Sequence, residues 1–236
     1  MSHHYIKFTN VTYRYPDGYK ALDAVNLHIT HGERVALLGN NGAGKSTLLL
    51  HCNGLLLATS GEVNIGGIPV SKKTLPDIRR SVGMVFQNSD DQLFMPTVEE
   101  DVAFGPINMN LPAKEVEDRV RKSLEVTGTF DLRNKSPLNL SGGQQRRVAI
   151  ATVLAMMPSV LVMDEPTSNL DFGARRELID LLKTFHHTQL IATHDLGLVK
   201  DLCNRIIVIN EGKIFYDGDT DTVLREASVR NVLHLD

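Results

Sequence analysis

Apolar and polar positions alternate along Ile6–Tyr13 and again through Val25, Leu27 and Ile29, with Pro16-Asp17-Gly18 between them. Period-two alternation interrupted by a Pro-Asp-Gly turn predicts strands with one buried face. Arg34–Leu38 (RVALL) is a nearly continuous apolar run, which suits a strand covered on both faces. A glycine-rich loop follows, Lys45–Asn53 reads as a helix, and Gly61–Ile65 and Ser81–Phe86 read as further strands.

From Thr97 to about Met157 the period becomes helical, over Thr97–Phe104, Ala113–Thr127 and Gln144–Met157. Glu115/Arg119 and Asp118/Lys122 are spaced as i,i+4 acid–base pairs, which predicts a solvated face on the middle helix. After Pro158 strands and helices alternate: Val160–Met163, Phe172–Phe185, Gln189–Thr193, Asp195–Leu202, Ile206–Ile209. That order predicts an α/β fold with a mostly parallel sheet core, N-terminal antiparallel strands and an inserted helical subdomain. The expected division is a single domain over 1–236, with the core at about 1–87 and 158–236 and the helical subdomain at about 88–157. Residues 227–236 carry no clear signal.

Composition narrows the setting. Twenty-five Lys+Arg against 28 Asp+Glu give a net charge of −3, so no basic surface predicts nucleic acid as a partner. Cys52 and Cys203 cannot build a disulfide framework and are expected as buried thiols in a reducing compartment. The longest apolar stretch, Val148–Met163, is shorter than the ~18 residues of a spanning helix and is broken by Pro158. It reads as a core helix followed by a buried strand. No apolar h-region marks a signal peptide at the N-terminus. Nine histidines include the pairs His3-His4 and His186-His187, but no accompanying spacing supports a metal site.

Gly39-Asn40-Asn41-Gly42-Ala43-Gly44-Lys45-Ser46 fits G-x-x-x-x-G-K-[ST] between a buried strand and a helix. Glycines let successive N–H groups turn inward as an anion nest, and the helix adds the positive end of its dipole. Lys45 is then expected to reach the β- and γ-phosphates, and the Ser46 hydroxyl to hold Mg²⁺. Leu161–Glu165 (LVMDE) ends an apolar strand in two carboxylates, at the sheet edge where α/β folds bind ligands. Asp164 is suited to Mg²⁺, and Glu165 to polarising an attacking water.

Leu140-Ser141-Gly142-Gly143-Gln144, before a helix that opens Gln145-Arg146-Arg147, places a hydroxyl cap and two glycines at a helix N-terminus. This second anion site is the LSGGQ signature, and with the two motifs above the chain resembles the ATP-binding-cassette (ABC) ATPases. The resemblance implies a P-loop NTPase (RecA-like) core that hydrolyses ATP with Mg²⁺. It also implies a head-to-tail dimer, in which Ser141, Gly142, Gly143 and Gln144 of one protomer close over the nucleotide on Gly39–Thr47 of the other. Tyr15 matches the aromatic that stacks on adenine, with Tyr13 the less suited neighbour. Gln87 matches the Q-loop glutamine that touches Mg²⁺ and links to the helical insertion. Ser168-Asn169-Leu170-Asp171 matches the D-loop, with Asn169 replacing the usual small residue and Asp171 at the nucleotide interface. His194 matches the switch histidine near the γ-phosphate.

Phe86-Gln87-Asn88-Ser89-Asp90-Asp91-Gln92-Leu93-Phe94 is similar to the Q-loop of energy-coupling-factor (ECF) importers, and Thr97–Pro106 resembles the same group. This implies a homodimer or paralogous ATPase dimer at the cytoplasmic face of a membrane. There it would dock on integral scaffold and substrate-binding subunits and touch the membrane only through them. The Ile191–Leu196 stretch is most similar to the cobalt/nickel branch, and vitamins are the other cargo class. The alternatives are another ABC transporter class or a non-transport ABC ATPase. One cassette, and no room between Lys45 and Ser141 for a long coiled coil, weigh against the latter.

Overall fold

The computed structural model describes residues 5–223 and 225–234, so His3-His4 lies outside the described residues. In chain order the elements begin with β1 (Ile6–Arg14), β2 (Lys20–Ile29), β3 (Arg34–Leu38), α1 (Lys45–Cys52), β4 (Ser60–Ile65) and β5 (Ile68–Pro69). They continue with α2 (Leu75–Ser81), β6 (Val82–Val85), α3 (Val98–Asn108), α4 (Ala113–Val126), α5 (Gly142–Leu154) and β7 (Val160–Asp164). The last are α6 (Phe172–Thr184), β8 (Thr188–Ala192), α7 (Leu196–Leu202), β9 (Arg205–Asn210), β10 (Lys213–Asp219), α8 (Thr220–Val223) and α9 (Ala227–Leu233). Two compact bodies result: one takes the chain up to Val82, Ser159–Glu165 and everything from His186; the other takes Gly83–Pro158 and Pro166–Phe185.

The first body holds two sheets. In the antiparallel sheet the order is β2-β1-β4-β5, with Ile6 opposite Ile29 and Ile65, and Phe8 opposite Leu27 and Val63. These six side chains are buried, so the period-two pattern of β1 does face a core. Five strands of the main sheet run β10-β9-β3-β8-β7; β9, β3, β8 and β7 pair in parallel, and β10 is antiparallel at the edge. Val35–Leu38, Val160–Asp164, Thr188–Ala192 and Ile206–Ile209 are buried along their whole length, as expected for strands covered on both faces.

The second body is built on α3, α4 and α5, with 3₁₀ turns at Phe130–Leu132 and Pro137–Asn139 between α4 and α5. Val98 and Val102 of α3, Val120 and Leu124 of α4, and Val148, Ala149 and Ala151 of α5 form its core. Residues 166–185 join this body because α6 reaches α5. A Cβ on Gly143 would lie 3.2 Å from the Ala174 Cβ, and Arg147 pairs with Glu177 at 2.9 Å.

Several elements depart from the pattern-based expectation. The helix expected from Gln144 begins at Gly142, because Ser141 and Gln144 form a reciprocal capping box that offsets two poor helix formers. It ends at Leu154 rather than Met157, and Met157 itself adopts φ 54° before β7. Helix α3 passes Phe104 and carries a buried Pro106 to Asn108. Asp118 pairs with Arg121 at 2.7 Å instead of Lys122, while Glu115 and Arg119 pair as expected at 2.6 Å. Helix α2, with a proline in its first turn, and the C-terminal α8 and α9 were not anticipated. Cys52 and Cys203 are buried free thiols, each raised by burial, Cys203 to about 12.

Leu124 is wholly buried where α4 meets its neighbours. Leu124→Ala is expected to destabilise the protein by roughly 2–5 kcal/mol through lost transfer energy and a residual cavity. A urea unfolding titration measures this; a midpoint within error of the parent would contradict the core assignment.

Candidate nucleotide site

Three loop segments of the first body leave the parallel sheet at one edge. The register places Leu37 beside Ala192 and Ala192 beside Asp164. The Glu165 N–H then continues the ladder to Ala192 O at 2.8 Å, and the Thr193 N–H to Leu37 O at 3.2 Å. Gly39, Glu165 and His194 therefore start from neighbouring points, and chemistry distant in sequence meets at the carboxyl ends of the strands.

Between β3 and α1 the loop is held from behind. The Gly212 N–H donates to Ala43 O at 2.9 Å, the Tyr19 hydroxyl to Gly42 O at 3.1 Å, and the Asn40 side chain to Val232 O in α9 at 3.0 Å. Gly44 caps α1 at φ 111°, and a Cβ there would lie 2.6 Å from Ala21 O, so both the backbone angle and the space require glycine. Lys45 is buried and folds back over the loop, with Nζ 2.6 Å from Gly39 O and 3.2 Å from Asn40 O. Burial lowers its pKa, opposed by the carboxylates of Glu165 and Asp164. Those two charges are thus near enough to be felt by the ammonium. Asn41 on the loop and Ser46 in the first turn of α1 are exposed, and Thr47 is buried.

Glu165 and His194 form a pair. The His194 Nδ1 lies 2.9 Å from Glu165 Oε2, and the Thr193 hydroxyl and His194 N–H approach the same oxygen at 3.4 Å. The Glu165 side chain is 11% exposed while that of His194 is 79% exposed, so the imidazole faces solvent over an anchored carboxylate. Glu165 also adopts φ 45°. A left-handed, non-glycine residue costs roughly 1–3 kcal/mol, and such strain collects at functional sites.

Tyr15 sits beside the first turn of α1. Its hydroxyl is 3.0 Å from Thr47 Oγ1, its ring meets Tyr13 edge-on at 4.9 Å, and Tyr19 lies nearly parallel to it at 6.4 Å and 19°. His51 supports the group: Nδ1 donates to Thr47 O at 2.7 Å, its ring packs edge-on against Tyr13, and burial lowers its pKa. Tyr19, His51 and Thr193 were not singled out from the sequence. The aromatic at 19, four residues past Tyr15 across the turn, was the one legible signal.

The remaining expected residues belong to the second body. Ser141 caps α5 through its hydroxyl, which accepts the Gln144 N–H at 3.3 Å, while the Gln144 side chain accepts the Ser141 N–H at 3.0 Å. The Gln144 side chain thus belongs to the cap. Gly142 opens onto free space. Asp171 caps α6, accepting the Ala174 N–H at 2.8 Å, and Asn169 adopts φ 62°, a conformation asparagine tolerates better than most residues. Gln87 is exposed after β6, and its carbonyl accepts a hydrogen bond from Arg146.

Residues 22–168 match the family model described as ABC transporter. A putative ABC transporter ATP-binding protein of Geobacter sulfurreducens is 57% identical over 220 residues, covering 93% of this chain and 88% of the relative. The energy-coupling factor transporter ATP-binding protein EcfA of Methanocaldococcus jannaschii is 47% identical, covering 98% and 87%. Among solved structures, cbiO1 from Clostridium perfringens, described as part of the ABC transporter complex cbiONQ, superposes with a TM-score of 0.84 at 41% identity, covering 98% and 94%. A dimeric ATP-binding cassette described as a post-hydrolysis state bound to ADP and Pi has a TM-score of 0.82 at 33% identity, covering 91% and 98%. The chain belongs to the ABC transporter family, as its ATP-binding, ATP-hydrolysing subunit.

Proposed function

We propose that this chain is the ATPase of an ECF-type importer, hydrolysing ATP·Mg²⁺ in a head-to-tail dimer to drive uptake of a transition-metal ion (cobalt or nickel) or a vitamin. The carrying observation is the anchored Glu165–His194 pair at the strand edge that also bears Lys45. In this reading the loop 39–47 holds the phosphates through backbone N–H groups and Lys45, and Tyr15 takes the adenine ring on its face. Glu165 orients water for in-line attack on the γ-phosphorus and receives its proton, and His194 donates to the developing charge. The Ser46 hydroxyl and the Asp164 carboxylate, both in the first body, are hard oxygen donors that fit Mg²⁺ and would hold it, and Gln87 of the second body is the Mg²⁺ contact that the family resemblance implies. When bound, Mg²⁺ neutralises charge on the β- and γ-phosphate oxygens.

Dimer formation is supported by the second anion site: Ser141 caps α5, and Gly142 leaves its N-terminus open to an incoming phosphate. Among the described residues no helix is long and apolar enough to cross a membrane, which fits a subunit that meets the bilayer through partners. Relatives named for energy-coupling factor transport and for the cbiONQ complex support the ECF assignment and membrane partners.

Glu165→Gln is expected to bind ATP normally and turn over at least ~10²-fold slower, the effect of losing a general base; a kcat near the parent's in a phosphate-release assay would reject this role. Lys45→Ala is expected to abolish ATP binding, which calorimetry checks, and in a second test such protomers are mixed with Ser141→Arg protomers. The mixed dimer keeps at most one complete site, so activity equal to the parent's contradicts head-to-tail pairing. Purifying the tagged chain from detergent-solubilised membranes is expected to recover integral membrane subunits whose identity names the cargo. Recovery of a stable complex with no membrane protein would argue against transport.

A further inference from the structure

One turn beyond the Ser141 cap, α5 carries a charge at a depth where charges are costly. Arg146 is 4% exposed, and its guanidinium donates from Nη1 to Phe86 O at 2.5 Å and from Nη2 to Gln87 O. Gln92 closes the same segment from its other end. Its Nε2 donates to Ala149 O at 2.6 Å and to Thr152 Oγ1 at 2.8 Å, both on α5, while its Oε1 accepts the Phe86 N–H at 3.2 Å. Four hydrogen bonds, two of them charge-assisted, therefore fasten the backbone of 86–87 and the turn after it to the signature helix, and a fifth, from Phe86 N–H to Gln92 Oε1, closes the segment on itself. The side chain of Gln87 remains exposed at the end of this fastened segment.

A guanidinium fork that engages two consecutive carbonyls fixes both peptide planes, and with them the direction of the Cα–Cβ bond between those carbonyls. Lysine, with one point charge, cannot hold both. We propose that Arg146 is a positioning residue, with Gln92 as its counterpart, that sets where the Gln87 side chain points and makes the Ser141 cap and Gln87 one mechanical piece. Displacement of the cap by a phosphate is then delivered to Gln87 without slack. The proposal rests on the reading of Gln87 as a Mg²⁺ contact, and it adds how that contact is aimed and what it is coupled to.

The test uses the full chain carrying Arg146→Lys, Gln92→Leu, Gln87→Ala, and Arg146→Lys with Gln87→Ala. Amide hydrogen exchange without nucleotide is read together with the Mg²⁺ concentration for half-maximal ATPase activity. In Arg146→Lys and Gln92→Leu, exchange over 86–92 is expected to accelerate while 34–38 and 188–192 stay as protected as in the parent. The Mg²⁺ requirement of Arg146→Lys is expected to rise about 10-fold, and the double variant to be no worse than Gln87→Ala, because Arg146 acts through Gln87. Unchanged exchange over 86–92, or penalties that multiply in the double variant, would overturn the proposal. If Arg146→Lys loses protection everywhere, Gln92→Leu, which removes no charge, decides by the same exchange criterion. A parent chain without ATP turnover would remove the proposed function instead, and the exchange comparison would still decide the fastening.

Discussion

The parallel register of β3, β8 and β7 is the constraint on which the first body's chemistry depends. Leu37, Ala192 and Asp164 lie side by side, so one residue more or less in any strand would move a loop along the edge and turn its side chains to the other face. Burial on both faces enforces the register: Val35, Leu190 and Val162 are fully buried, and a slip would leave backbone donors unpaired among apolar side chains. The Glu165 N–H and Thr193 N–H extend the ladder past the strand ends. The position of the Glu165 carboxylate, the general base of the proposed function, is thus set by the backbone, and its side chain is held by His194.

The phosphate loop follows a different logic. Its carbonyls are occupied by Gly212, Tyr19 and Lys45. Fixing those carbonyls restrains the loop backbone, whose N–H groups the proposed function reads as an anion nest. The ammonium of Lys45 rests on two neutral carbonyls, while the carboxylates of Glu165 and Asp164 oppose the lowering of its pKa by burial. Glu165 likewise has its backbone fixed in an uncommon conformation, at φ 45°, which the proposed function reads as preorganisation.

The second body presents its chemistry through helix caps. Ser141 and Asp171 both satisfy orphan N–H groups at the starts of α5 and α6, and Arg147–Glu177 together with the Gly143–Ala174 approach ties the two helices together. A conventional capping box at Ser141-x-x-Gln144 explains the local stability of α5 without reference to nucleotide. The open face at Gly142 is the feature that capping does not need.

By itself the sequence determined the element types of the sheet, the phosphate loop, the acidic strand end and the signature, because each is written in contiguous residues whose spacing has a local physical meaning. Tertiary structure alone decided the pairings between distant segments. That Glu165 meets His194, that Tyr19 braces Gly42, and that Arg146 holds the backbone at Gln87 depend on which segments packing brings together within each body. An arginine on a helix reads as solvated in one dimension; its burial follows from carbonyls sixty residues away in the chain, at Phe86. Positive φ at Glu165 and Asn169 was equally invisible, since local preference disfavours it and only surrounding contacts impose it. Short-range periodicity reports what a segment is, and long-range packing decides what its side chains touch.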